Sequence, residues 1–93
     1  MIRSFASKNT ERIWQEQYVK GVDRTLHRAA LRKLELVNAA RDVEDLRIPP
    51  GNRREQLVGD RRAQHSIRVN AQWRICFIWR EGGADDVELV DYH

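Results

Sequence analysis

The segment Pro49-Pro50-Gly51-Asn52 separates two parts of the chain whose apolar residues recur with different periods. Before this segment, apolar residues recur at the spacing of one helix face: Leu26, Ala30, Leu34 and Val37. After it, polar and apolar residues alternate as they do in strands. Because proline and glycine interrupt both patterns, the sequence predicts an α+β fold, an antiparallel sheet with two N-terminal helices packed on it.

The first half of the chain is predicted to hold a short strand at residues 2–5 and then a short helix. Asn9 or Thr10 can cap this helix, which we expect to continue through Tyr18 and to end at Gly21. Its apolar face would consist of Ile13, Trp14 and Tyr18.

The second helix is longer, and Asp23 is its predicted N-cap. Its outer face carries three arginines spaced one turn apart: Arg24, Arg28 and Arg32. Such a row is either a solvated helix face or a surface for an acidic partner.

Three or four antiparallel strands are predicted after the break, at residues 55–58, 66–70, 73–79 and 87–92. Turns are expected between them at Gly59-Asp60, at residues 70–72 and at Gly82-Gly83. The strand at residues 73–79 is apolar on both faces in its middle, so it should be central in the sheet.

The charged residues are distributed unevenly along the chain. The net charge is +3 over 93 residues, a length that predicts one domain covering residues 1–93. Lysine occurs only at Lys8, Lys20 and Lys33, and every other basic residue is arginine, which makes two-point contacts with phosphate. Eight arginines lie between Arg47 and Arg80, where the only acids are Glu55 and Asp60. This basic block favours an anionic partner: RNA, DNA or an acidic protein surface.

Several functional classes find no support in the sequence. His27, His65 and His93 lack the spacing of metal ligands, and no glycine-rich phosphate loop is present, so we expect neither a metal nor a cofactor. Cys76 lies in an apolar run and is expected to be a buried, inert thiol. No stretch resembles a signal peptide or a membrane span, so we expect a cytoplasmic protein without membrane contact.

The tripeptide Asp91-Tyr92-His93 is the most suggestive group for chemistry. A histidine just past a strand can act as an acid near neutral pH. With Gly82-Gly83 as a two-residue turn, Arg74 would lie across from Asp91, whereas a shift of one residue would move the arginine to the opposite face.

RNA cleavage without a metal needs a base, a positive group at the phosphate and an acid. Glu55, Arg74 and His93 could supply these three functions.

The order of several motifs resembles the HigB group of the RelE-like toxins along the whole chain. The resemblance is carried by Gly59-Asp60-Arg61, by the run from Ser66 to Phe77 that includes Gln72-Trp73-Arg74, and by Val90-Asp91-Tyr92-His93. The segment Pro49-Pro50-Gly51-Asn52-Arg53 is similar to that of the GraT-like subgroup.

This resemblance implies a compact, microbial-ribonuclease-like fold and a toxin of a type II toxin–antitoxin system. It implies a ribosome-dependent endoribonuclease that cleaves messenger RNA in the ribosomal A site through attack by the 2′-hydroxyl. It also implies neutralisation by a HigA-type helix-turn-helix antitoxin, with operator DNA contacted only through the toxin–antitoxin complex.

The resemblance also assigns candidate site residues. Asp91, Tyr92 and His93 match the catalytic C-terminal stretch of the family, and Arg74 matches the arginine that stabilises the phosphate. Glu55 stands where better-known HigB toxins carry histidine, and the related YoeB toxins have a glutamate base there. Candidate RNA contacts are Arg53, Arg54, Arg61, Arg62 and Arg68.

Two alternatives to the enzyme remain open at this point. The basic sheet could bind RNA or the ribosome without cutting, or the chain could be a degenerate toxin retained as an operon co-repressor. The glutamate at position 55 is the sole support for the degenerate toxin.

Overall fold

The longer helix and the sheet bury the apolar faces that the sequence pattern predicts. The computed structural model describes residues 1–57 and 64–91. In these residues the elements are α1 (Lys8–Trp14), α2 (Arg24–Ala39), β1 (Glu55–Gln56), β2 (Gln64–Arg68), β3 (Trp73–Arg80) and β4 (Gly83–Asp91). Two short 3-10 helices, Val43–Arg47 and Pro50–Asn52, connect α2 to β1. The predicted α+β fold is confirmed.

The four strands form one antiparallel sheet in the order β1-β2-β3-β4. The predicted central strand, β3, is internal, with Ile75 paired to Ile67 on β2 and to Leu89 on β4. The core lies between the helices and the sheet face that carries Ile75. It joins the helix residues Ala30, Leu34 and Val37 to the sheet residues Ile67, Ile75, Phe77 and Val87. Asp23 caps α2 as predicted, because its Oδ1 accepts a hydrogen bond from the Leu26 amide at 2.7 Å.

The first helix is shorter than predicted. Its N-cap is Ser7, whose hydroxyl accepts from the Thr10 amide, and the helix ends at Trp14. Glu16 has a φ of 60°, which stops the helix one turn before Tyr18. Tyr18 is therefore 81% exposed and does not share the buried face with Ile13. Helical spacing alone could not reveal this early stop.

The turn between β3 and β4 is displaced by one residue from its predicted position. Arg80 pairs with Gly83, so the two turn residues are Glu81 and Gly82, both with positive φ. β4 therefore begins at Gly83, four residues before its predicted start at Val87. A bulge at the left-handed Asp86 shifts the pairing again between Cys76 and Ile78.

Residues 2–5 form two isolated bridges with β4 in place of the predicted strand. Ile2 pairs with Ala84 and Phe5 with Val87, both in parallel orientation. Beside them, the Arg3 guanidinium donates to both carboxylate oxygens of Asp85 at 3.1 Å. The N-terminal segment is thereby attached to the outer edge of β4.

The remaining turn predictions have different outcomes. The turn at residues 70–72 is confirmed, since Asn70 Oδ1 accepts from the amides of Gln72 and Trp73 at 2.8 Å. Of the predicted strand at residues 55–58, Glu55–Gln56 is observed as a strand, and residue 58 lies outside the described residues. The predicted turn Gly59-Asp60 lies outside the described residues.

The packing of α2 on the sheet can be tested with Leu34→Ala. Leu34 is fully buried between the helix and the sheet, so truncation should lower the free energy of unfolding by about 2–5 kcal/mol. Urea denaturation measures this loss. Arg32→Ala, on the exposed face of the same helix, is the control and should change it by no more than about 0.5 kcal/mol. Equal losses in the two variants would contradict the described packing.

Candidate active site on the distal face of the sheet

The sheet face turned away from α2, here called the distal face, carries three of the six predicted site residues that the structure describes. Directly paired residues of neighbouring strands share a face, and residues two apart on one strand share it too. Pairing of Glu55 with Ser66, Ser66 with Cys76 and Cys76 with Glu88 extends one face across all four strands. The distal face therefore includes Glu55, Gln64, Ser66, Arg68, Arg74, Cys76, Ile78, Glu88 and Val90.

Arg74 is held in a buried position at the centre of the distal face. It is 8% exposed, and its Nε donates to the Ser66 hydroxyl at 2.9 Å. Its Nη2 donates to the carbonyl oxygen of Arg53 at 2.5 Å and to that of Ser66 at 3.4 Å. These oxygens stabilise a guanidinium charge that water reaches only slightly.

Glu55 lies two strands away from Arg74 on the same face. It belongs to β1, is exposed, and pairs with Ser66, the residue that binds the Arg74 side chain. Two strand spacings amount to about 10 Å, and Arg74 lies two residues along β3 from Cys76, the residue in line with Glu55. The exposed Glu55 side chain and the buried Arg74 side chain therefore extend from the same face of the sheet, on either side of β2.

The predicted proximity of Arg74 and Asp91 is wrong. Arg74 pairs with Val90, and Asp91 pairs with Trp73, so the two side chains start from opposite faces of the sheet. The displaced turn and the bulge together cause this one-residue difference. Asp91 instead accepts a hydrogen bond from the Gln72 side chain at 3.1 Å.

Four predicted site residues lie outside the described residues. They are Arg61, Arg62, Tyr92 and His93. Their proposed functions stay predictions.

The other arginines predicted to contact RNA differ in their surroundings. Arg53 is exposed and lies beside the distal face, and Arg68 is half-buried on that face, where it pairs with Arg74. The Arg54 side chain is only 8% exposed, and its Nη2 forms an ion pair with Glu44 at 3.1 Å. The placement of Arg53 and Arg68 is compatible with RNA contact, whereas Arg54 has internal partners.

His65 is the second internal partner of Arg54. It accepts a hydrogen bond from Arg54 Nη1 at its Nδ1 (3.0 Å) and stacks on Phe77 in the core. Burial, followed by the neighbouring Arg54 charge, lowers the pKa of His65 from its ordinary value of 6.5, although Glu44 acts in the opposite direction. His65 is therefore a neutral, packed histidine on the helix side of the sheet.

Ser66 is a site residue that the sequence reasoning did not identify. It is fully buried and binds Arg74. The sequence could have identified Ser66 from the turn at residues 70–72, which was predicted correctly. This turn places Arg68 opposite Arg74, and the alternation of side chains along a strand then puts Ser66 on the same face.

Within residues 1–57 and 64–91, histidine, cysteine and acidic side chains form no group of three or more that could hold a metal ion. None of the helices in the same ranges combines the length and apolar character needed to cross a membrane. Cys76 is buried, as its apolar surroundings in the sequence predict.

The fold and the distal face define a class: a small α+β protein with carboxylate and guanidinium groups on the sheet face opposite its helices. A family model described as the RelE-like toxin of type II toxin–antitoxin system HigB matches residues 3–93. The chain therefore belongs to the HigB-like toxin family, as its motifs predict.

Two relatives illustrate the range of similarity within the family. Toxin HigB-1 of Vibrio cholerae is 44% identical over 77 residues, which cover 76% of this chain and 81% of the relative. Endoribonuclease HigB of Proteus vulgaris is 30% identical over 97 aligned positions, which cover the whole of both chains.

The lowered pKa of His65 leads to a pH-dependent stability. A base whose pKa is lowered by folding stabilises the native state fully above its ordinary pKa of 6.5 and loses this contribution as the pH falls. The free energy of unfolding should therefore decrease between about pH 7.5 and about pH 5, and less so in His65→Gln, which keeps an acceptor for Arg54. Urea denaturation at both pH values measures the difference. His27→Gln is the control, and equal responses of the two variants would exclude His65 as the titrating group.

Proposed function

We propose that the chain is an endoribonuclease toxin that cleaves translated messenger RNA on the ribosome and thereby stops growth. Membership in a toxin family and the full-length relative named Endoribonuclease HigB support the reaction class. The observation that carries the proposal is the placement of Glu55 and Arg74 on one sheet face, with the positive charge fixed by Ser66.

The proposed reaction is an internal attack of the ribose 2′-oxygen on the adjacent phosphorus. Glu55 accepts the 2′-hydroxyl proton, the phosphorus–5′-oxygen bond breaks, and His93 donates a proton to the departing 5′-oxygen. Arg74 stabilises the extra negative charge that develops on the phosphate oxygens. Asp91 and Tyr92 would support the acid at this end of the chain. Proton transfer and one positive charge suffice for this reaction, so the proposal includes no metal or cofactor.

The basic residues near the distal face suit a substrate that is held by a larger RNA assembly. Arg53 is exposed beside this face and Arg68 lies on it, and we assign phosphate contacts to them and to Arg61 and Arg62. Because phosphate contacts position RNA without reading its bases, the ribosome would supply the alignment of the message in its A site. The proposed ribosome dependence rests on the resemblance to the RelE-like toxins, and phosphate contacts of this kind are compatible with it.

A type II system implies an antitoxin protein, and we propose a HigA-type antitoxin with a helix-turn-helix domain. In this arrangement the antitoxin contacts operator DNA and the toxin joins the complex through the antitoxin alone. The proposal places the complex in the cytoplasm.

The function of Arg74 can be tested with Arg74→Ala. Loss of one group that stabilises transition-state charge should lower the cleavage rate of ribosome-bound messenger RNA by about 10²- to 10³-fold and relieve growth arrest. Primer extension on the message measures the cuts, and retained antitoxin binding would establish that the variant is folded. Arg41→Ala, exposed in the segment after α2, is the matched control. Growth arrest with intact messages in the wild type would favour a toxin that only binds the ribosome.

The function of Glu55 can be tested separately with Glu55→Gln. The amide keeps the size of the side chain but cannot accept the 2′-hydroxyl proton, so the rate should fall by about 10²- to 10⁴-fold. Because Glu55 is exposed, thermal stability should not change. Glu35→Gln, on the exposed face of α2, is the control. A cleavage rate equal to that of the control would exclude Glu55 as the base.

A further inference from the structure

We propose that Asn52 is a positioning residue for Arg74, because it fixes the main-chain carbonyl group of Arg53 that orients the Arg74 guanidinium. The inference deepens the proposed function and rests on it. The side chain of Asn52 is fully buried, although it belongs to the short 3-10 helix of a connecting segment.

Both ends of the Asn52 side chain are bound inside the protein. Its Nδ2 donates to the carbonyl oxygens of Leu46 and Ile48 at 3.2 Å and 3.3 Å. Its Oδ1 accepts from Lys33 Nζ, on α2, at 2.5 Å. Asn52 thus joins the helix layer to the segment that precedes β1, and this segment cannot shift without breaking buried hydrogen bonds.

Lys33 is a charged donor whose surroundings disfavour its charged form. Partial burial, and then the charges of Arg32 and Arg68, lower the pKa of its ammonium group. Within residues 1–57 and 64–91, its hydrogen-bond partner is Asn52 and no carboxylate lies within ion-pairing distance. A charge-assisted bond to the Asn52 amide is stronger than a neutral one, which fixes this side chain more firmly.

Arg53, the residue after Asn52, connects Asn52 to Arg74 through its main-chain carbonyl group. Arg53 has φ 43° and ψ 55°, a left-handed conformation that residues with a side chain adopt rarely. Its amide donates to the Pro50 carbonyl oxygen at 3.1 Å, and its own carbonyl oxygen accepts from Arg74 Nη2. The surrounding segment must enforce this conformation, and Asn52 is the buried anchor next to it.

The second anchor of Arg74 belongs to the sheet and is independent of Asn52. Ser66 is fixed by strand pairing with Glu55 and Cys76, and its hydroxyl binds Arg74 Nε. The Ser66 carbonyl oxygen also accepts from Arg74 Nη2, at 3.4 Å, whereas the contact of Nη2 with the Arg53 carbonyl oxygen is 2.5 Å long. The shorter contact contributes more to the direction of the guanidinium. A misplacement of about 1 Å costs about 100-fold in rate when a group must meet a transition state.

The test uses Asn52→Asp, which keeps the oxygen for Lys33 but cannot donate to the Leu46 and Ile48 carbonyls. Lys33→Met, which removes the charged donor and keeps the aliphatic stem, is a second and milder variant. Lys20→Met, exposed in the segment before α2, is the matched control. We expect both test variants to lower kcat for cleavage of ribosome-bound messenger RNA by about 10- to 100-fold with little change in KM.

A double-mutant cycle separates positioning from a purely structural effect. If Asn52 acts through Arg74, Asn52→Asp should have almost no further effect in the Arg74→Ala background. Equal losses in the two backgrounds, or wild-type rates for both test variants, would overturn the proposal.

A measurement without substrate keeps the proposal independent of the reaction. The ¹⁵Nη2–¹H NMR signal of Arg74, assigned by its loss in Arg74→Lys, should exchange with water faster in Asn52→Asp than in Lys20→Met, because Nη2 donates to the Arg53 carbonyl oxygen. If Arg74→Ala cleaves like the wild type, the proposed function of Arg74 fails, and this signal alone decides whether Asn52 orients the guanidinium. An unchanged exchange rate would contradict such an orientation.

Discussion

The hydrogen bonds of the Arg74 guanidinium hold together the parts of the molecule that form the distal face. Arg74 is 8% exposed, so protein oxygens must replace most of the water around its charge. Ser66 supplies a hydroxyl and a carbonyl oxygen from β2, and Arg53 supplies a carbonyl oxygen from the segment before β1. Because a one-residue slip of β3 would carry the charge into the apolar core, the register of the sheet and the solvation of Arg74 depend on each other.

The elements with strong periodicity could be predicted from the sequence, and the places where pairing shifts could not. The apolar stripe of α2 and the internal position of β3 are direct results of residue spacing. The turn at Glu81-Gly82 and the bulge at Asp86 both depend on positive φ values at residues other than glycine. A glycine pair at 82–83 permits either of two turns, so only the packed sheet selects the pairing that separates Arg74 from Asp91.

The sequence predicted which residues form the candidate site better than it predicted their positions and contacts. Glu55 and Arg74 do share a face, yet the surroundings of each arginine depend on tertiary contacts that composition does not encode. Arg54 has the same side chain as Arg53, but a buried position between Glu44 and His65 gives it internal partners. A cluster of arginines in a sequence therefore contains both potential RNA contacts and structural charges.

The parallel bridges between residues 2–5 and β4 cover part of the outer edge of the sheet. Ala84 and Val87 exchange main-chain hydrogen bonds with Met1, Arg3, Ser4 and Ala6 along the outer edge of the sheet. An exposed strand edge offers unpaired amides and carbonyls to other chains, which is a common route to aggregation. The N-terminal segment occupies this edge at Ala84 and Val87, where the main-chain groups of β4 have partners within the chain. Within residues 1–57 and 64–91, this part of the outer edge is therefore closed to main-chain pairing with another copy of the chain.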